Sequence, residues 1–82
     1  GDRSLFILDT PSRGLHPSDF DKVFIMMRKL VAKNNSMLIA DNNPYFVRNA
    51  DWIIVLDENH IAFQGYPSKL PLELRSKLGL EV

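Results

Sequence analysis

Cysteine is absent from this chain of 82 residues, so disulfides and thiolate metal sites are excluded. Histidine is scarce: His16 and His60 lie far apart and show no metal-ligand spacing, so no zinc is expected in this segment. No apolar run approaches the ~18 residues of a membrane span, and no secretory leader pattern is present. Neither sign of charge is in excess. Lys plus Arg is 10 and Asp plus Glu is 10, which argues against a general nucleic-acid-binding surface within the segment. Several motifs are missing as well. There is no G-x-S-x-G elbow, no G-x-G-x-x-G turn, and no G-x-x-x-x-G-K-[ST] phosphate loop. A dehalogenase-type phosphatase needs a second Asp two residues after the first; here Pro11 stands in that place.

What is present is 45% apolar, enough in composition for a core. A chain of this size folding alone would bury roughly 60–65% of its unfolded surface. The sequence starts at Gly1 rather than Met, and a strand-like run begins within a few residues, as expected of a piece of a larger protein.

Leu5-Phe6-Ile7-Leu8 runs into Asp9 and then Thr10-Pro11-Ser12-Arg13-Gly14-Leu15-His16. Such a run reads as a strand buried on both faces, as in a parallel sheet with helices on each side. Asp9 would then stand at the carboxyl end of the strand, where open α/β sheets bind ligands, or would simply end the strand. Ser18 is expected to cap a helix with Asp19 and Asp21 in its first turn. Phe20, Val23, Phe24, Met27, Leu30 and Val31 fall on one helical face and read as core. Arg28, Lys29 and Lys33 suit its C-terminal end, and Asn34-Asn35 stops it.

Met37-Leu38-Ile39-Ala40 is a second strand followed by Asp41, which completes a βαβ unit with an expected right-handed crossover. Pro44 at a first helical position, capped by Asn43, predicts a short helix. Asp51-Trp52-Ile53-Ile54-Val55-Leu56 and Ile61-Ala62-Phe63-Gln64, separated by the turn residues Asp57-Glu58-Asn59-His60, predict a β-hairpin. The tail from Ser68 to Leu78 has helical character, with Leu70, Leu74 and Leu78 on one stripe, Pro71 as a divider and Gly79 as C-cap. No repeat, low-complexity tract or linker occurs, so residues 1–82 are read as one segment.

Asp9-x-Pro11-x-x-Gly14-Leu15-His16, the helix, the second strand and its polar end, Ala50-Asp51-Trp52-Ile53-Ile54, and a Gly65-x-Pro67-Ser68 hairpin exit together resemble the C-terminal part of an ABC-type ATPase domain. Within that superfamily they are most similar to the UvrA-like family of bacterial excision repair; Gly14-Leu15-His16 and Ala50-Asp51-Trp52-Ile53-Ile54 point there. The resemblance covers roughly residues 4–70. It implies an α/β fold that is part of a P-loop NTPase core: β-α-β, short helix, hairpin and C-terminal helix. It implies that Leu5–Asp9 is the Walker B strand, with Asp9 on the magnesium side of ATP through water. Arg13, Gly14, Leu15 and His16 would form the D-loop facing an opposing nucleotide site, and Asn42 would stand in the switch loop.

Two positions depart from active members. Thr10 stands where a catalytic Glu is usual, and Asn42 where a His contacts the γ-phosphate. Threonine cannot act as a carboxylate base, and asparagine cannot share a proton. Asp41 stands where UvrA-like sequences tend to have Glu. The resemblance therefore implies a cytoplasmic ATP- and magnesium-dependent parent with a degenerate hydrolysis site. Its partners would be the rest of its domain, an opposing nucleotide-binding domain, and DNA through other parts. The segment alone is expected to be inactive, to bind no cofactor, and to be open to self-association through an uncovered edge or face. A transporter ATP-binding subunit and a non-enzymatic module on the same scaffold are the alternatives.

Overall fold

The computed structural model describes residues 3–80. Internal contacts divide the chain into two compact units that meet in sequence at Asn42 and Asn43.

The first unit is a βαβ crossover: β1 (Leu5–Asp9), a 3-10 turn (Pro17–Asp19), α1 (Phe20–Ala32) and β2 (Ser36–Ala40). The strands pair in parallel from Leu5↔Ser36 to Asp9↔Ala40. Asn35 ties the crossover together, because its Oδ1 accepts from the Ser4 N–H at 3.0 Å and its Nδ2 donates to the Leu30 carbonyl at 2.8 Å. The Leu30 carbonyl near the helix end also accepts from the Lys33 N–H at 3.2 Å, so the Asn35 side chain is its second donor. Asn34 turns the chain with a φ of 67°, a left-handed value that Asn tolerates well.

Two expectations are corrected here. Ser18 does not cap α1. It lies in the 3-10 turn, whose own cap is His16, and Asp19 precedes α1 in a helical conformation with no side-chain cap bond. The Pro17 ring pre-sets that tight turn, which moves the helix start past Ser18. Nor are the strands buried on both faces. Leu5, Ile7 and Leu38, which share one face, are 61%, 70% and 55% exposed, while Phe6, Leu8, Met37 and Ile39 on the other are half-buried. An apolar run puts hydrophobic side chains on both faces, but among the described residues of this unit one α-helix, α1, is present to cover them, and its buried residue is Met27.

The second unit holds α2 (Pro44–Asn49), β3 (Ile53–Asp57), β4 (His60–Gly65), a 3-10 turn (Pro67–Lys69) and α3 (Leu72–Lys77). Pro44 opens α2, and Asn43 Oδ1 caps it by accepting from the Tyr45 N–H at 2.9 Å, as expected. The hairpin is antiparallel, and Glu58 and Asn59 both take positive φ, 48° and 66°, as a two-residue type I′ turn requires. Its register shifts between Val55 and Leu56. Ile53 and Val55 point into a core with Leu70 and Leu80, against which Val47, Ala50, Ala62, Phe63 and Leu74 pack.

Pro71 does divide the tail, into the 3-10 turn and a short α3. Arg75 bridges the division, donating from Nε to the Leu70 carbonyl at 2.9 Å and from Nη2 to the Ser68 carbonyl at 3.2 Å. Gly79 ends α3 at a φ of 70°, with Leu80 N–H on the Arg75 carbonyl (2.8 Å) and Gly79 N–H on the Ser76 carbonyl (3.3 Å). This is a Schellman motif, and it swings Leu80 back onto the core. Leu80 therefore takes the place expected of Leu78, which is left 37% exposed.

Asp57 and Lys77 form a surface pair, with Lys77 Nζ donating to Asp57 Oδ2 at 2.7 Å. That hydrogen bond chiefly holds the Asp57 carboxyl below its ordinary value; partial desolvation opposes it, and the charges of Lys77 and His60 reinforce it.

Leu70→Ala should destabilise the protein by about 2–5 kcal/mol, and Leu78→Ala by less than about 1 kcal/mol. Urea-unfolding midpoints read the difference, and equal losses would contradict this assignment of the core. Because Asp57 is harder to protonate when folded, its stabilisation is present above its unfolded pKa and is lost as pH falls through the folded value. Lys77→Met should thus lower the urea midpoint near neutral pH and match the parent protein in strong acid. A deficit unchanged across that range would show that the pair contributes nothing.

Candidate functional site

Parallel pairing brings two strand ends to one edge. β1 ends at Asp9, opposite Ala40, and the chain continues from β2 into Asp41 and Asn42. Asp9 and Asn42 are exposed, and Thr10 and Asp41 are half-buried. The ladder extends one residue beyond β1, because the Thr10 N–H donates to the Ala40 carbonyl at 2.7 Å. Thr10 holds a φ of 49°, uncommon for any residue with a side chain and more so for a β-branched one. Its hydroxyl donates to Asp9 Oδ1 at 3.0 Å.

The loop then folds through two overlapping turns. The Arg13 N–H donates to the Thr10 carbonyl at 3.0 Å, and the Leu15 N–H to the Ser12 carbonyl at 3.1 Å. Gly14 sits at the third position of the second turn with a φ of 80°, the value that favours glycine in a type II turn. Ser12 is held from across the edge. Its N–H donates to Asp41 Oδ2 and its hydroxyl to Asp41 Oδ1, each at 2.9 Å. His16 closes the loop: its Nδ1 accepts from the Ser18 N–H at 3.1 Å and lies 2.9 Å from the Ser18 hydroxyl. His16 thus acts here as the cap of the 3-10 turn.

The structure therefore gathers Asp9, Thr10, Arg13, Gly14, Leu15 and His16 on one loop and sets Asn42 on its neighbour. Sequence reasoning missed the Asp41–Ser12 clamp. Its only signal was a carboxylate just past one strand and a hydroxyl three residues past the other.

Among the described residues no group of three or more His, Cys, Asp or Glu is placed to hold a metal ion. Asp9 is a single exposed carboxylate. That fits a magnesium ion which keeps most of its water and takes its remaining ligands from phosphates, but not a self-sufficient metal site. An open groove of about 340 Å³ in the second unit, lined by Pro44, Val47, Arg48, Arg75 and Leu80 among others, includes none of these residues.

No protein-family profile matches the chain. Individual proteins do. UvrABC system protein A of Rhizobium meliloti is 34% identical over 83 residues, which cover 94% of this chain and 8% of that protein. Its counterpart from Agrobacterium fabrum is 42% identical over 52 residues, covering 63% of this chain and 5% of that one. The crystal structure of UvrA2 from Deinococcus radiodurans superposes with a TM-score of 0.78 at 27% identity, over 93% of this chain and 10% of that chain.

The fold is thus that of a segment of an ABC-type ATPase. Within that class the chain is UvrA-like, similar over most of its length to UvrABC system protein A. It spans less than a tenth of the length of these curated relatives.

The strain at Thr10 is testable. Asparagine accepts left-handed backbone more readily than threonine, so Thr10→Asn should raise the unfolding free energy by roughly 0.5–1 kcal/mol. A urea midpoint below that of the parent protein would show that the Thr10–Asp9 hydrogen bond outweighs the strain.

Proposed function

We propose that this chain is the C-terminal part of a nucleotide-binding domain in a UvrA-like ATPase serving bacterial excision repair or a paralogous role. The observation that carries this is the shared edge: the register Asp9↔Ala40 puts Asp9 and Thr10 beside Asp41 and Asn42. Similarity to UvrA proteins over 94% of the chain favours this reading over a transport subunit.

In this reading Leu5–Asp9 is the Walker B strand, and Asp9 would help hold a hydrated magnesium ion that accompanies ATP. The ion would supply charge neutralisation there. Arg13–His16 form the D-loop and face an opposing nucleotide site. Asn42 would offer an amide N–H donor to the terminal phosphate. The phosphate loop, the opposing domain and any DNA contact belong to other parts of the complete protein.

Hydrolysis at this site is weak by the same reading. Thr10 offers a hydroxyl where a base is needed, and that hydroxyl already donates to Asp9. Asn42 binds but does not exchange a proton. The engaged Thr10 hydroxyl also favours a second reading, a non-enzymatic module in which Asp9 only closes the strand.

Restoring both groups separates the two. In the complete protein, Thr10→Glu combined with Asn42→His should raise ATP turnover by about tenfold or more, within the range a positioned base contributes. Unchanged turnover in a protein that binds Mg-ATP would refute the degenerate-site account. Absence of Mg-dependent ATP binding would favour the non-enzymatic module.

A further inference from the structure

Asp41 has no assigned part in the proposed nucleotide chemistry, yet it holds the loop that carries much of it. Both of its carboxylate oxygens accept from Ser12, one from the N–H and one from the hydroxyl, each at 2.9 Å in a partly buried setting. Hydrogen bonds to an ionised acceptor are stronger than neutral ones, and the two-point attachment fixes orientation as well as distance. With the Thr10 N–H on the Ala40 carbonyl, the start of the loop is pinned to the end of β2 by three hydrogen bonds. From Arg13 onward the loop is shaped by its own turns and by His16. Asp41 is also the covalent neighbour of Asn42, so its side chain links the two strand-end loops beyond the last backbone bond of the ladder.

We propose that Asp41 is a positioning residue that sets Arg13–His16 relative to Asp9 and transmits nucleotide contact at Asn42 to that loop. This rests on the nucleotide-edge reading above. It predicts that Asp41 governs the loop without governing how tightly nucleotide binds. A merely structural role would instead lower global stability and leave the loop's response intact in the folded fraction.

The test is amide hydrogen exchange in the complete protein, read at Ser12 and across Arg13–His16. Wild type is compared with Asp41→Ala and with Asp41→Asn, which keeps the shape and one oxygen acceptor. Without nucleotide, Asp41→Ala should speed exchange at the Ser12 amide by about tenfold or more, and Asp41→Asn by less. Wild-type exchange in Asp41→Ala would overturn the proposal.

With Mg-ATP, the variants' dissociation constant should stay within about threefold of wild type, while the nucleotide-induced change in protection at Arg13–His16 is lost in Asp41→Ala. A loop that still responds as in wild type, or a nucleotide affinity that collapses, would overturn it. If Asp41→Ala does not fold, Asp41→Asn carries both readouts, with partial loosening expected and none contradicting. If wild type binds no Mg-ATP, the nucleotide-edge reading and the transmission built on it fail together. The nucleotide-free comparison still decides whether Asp41 positions the loop.

Discussion

The parallel ladder between β1 and β2 is the constraint on which the site depends. Its register places Asp9 opposite Ala40, and the chain can then only leave the two strands at the same edge. Everything chemically distinctive in the first unit lies within a few residues of that edge. The ladder continues through Thr10, and Asp41 takes over where it ends, holding Ser12 by two hydrogen bonds. A one-residue slip would flip the strand faces and separate Asp41 from Ser12, so the alternation of half-buried and exposed residues along both strands protects the site as well as the core.

The second unit rests on different physics. Its core of Ile53, Val55, Leu70 and Leu80 is closed by chain reversals: a left-handed two-residue turn at Glu58-Asn59, and the Gly79 turn that returns Leu80 to the hairpin. The opposite side of β3 presents Ile54 and Leu56, both exposed, and Trp52 and Tyr66 stack edge to face beside it at 5.4 Å. Leu5, Ile7 and Leu38 in the first unit are exposed as well. Such surface accords with a segment that spans 8% of its relatives' length.

Much of the fold was legible because local signals were strong and agreed with one another. Asn43-Pro44 announced α2, the period of Phe20 through Val31 announced α1, and Pro71 and Gly79 marked the divisions of the tail. What escaped was set by contacts between distant residues or by what the chain does not supply. Ser18 has the chemistry of a helix cap, but Pro17 and His16 tighten the preceding turn and claim it. Leu78 keeps the spacing of Leu70 and Leu74, but the helix ends before that spacing matters, and Leu80 reaches the core. The double burial expected of the strands failed because composition does not count the helices available to cover them. At the site, Asp9 stands out as the polar end of an apolar run, whereas Asn42 was singled out only by the family resemblance. The Asp41–Ser12 clamp spans 29 positions, and local pattern cannot reveal a contact at that distance.

The central claim is that the β1–β2 edge is a nucleotide edge with Asp9 on its magnesium side. Titrating ATP into the complete protein with and without magnesium, in wild type and in Asp9→Asn, tests it most directly. The account predicts that Asp9→Asn weakens magnesium-dependent binding at this site by about tenfold or more while leaving the fold intact. Magnesium-dependent binding identical in the two proteins would contradict it.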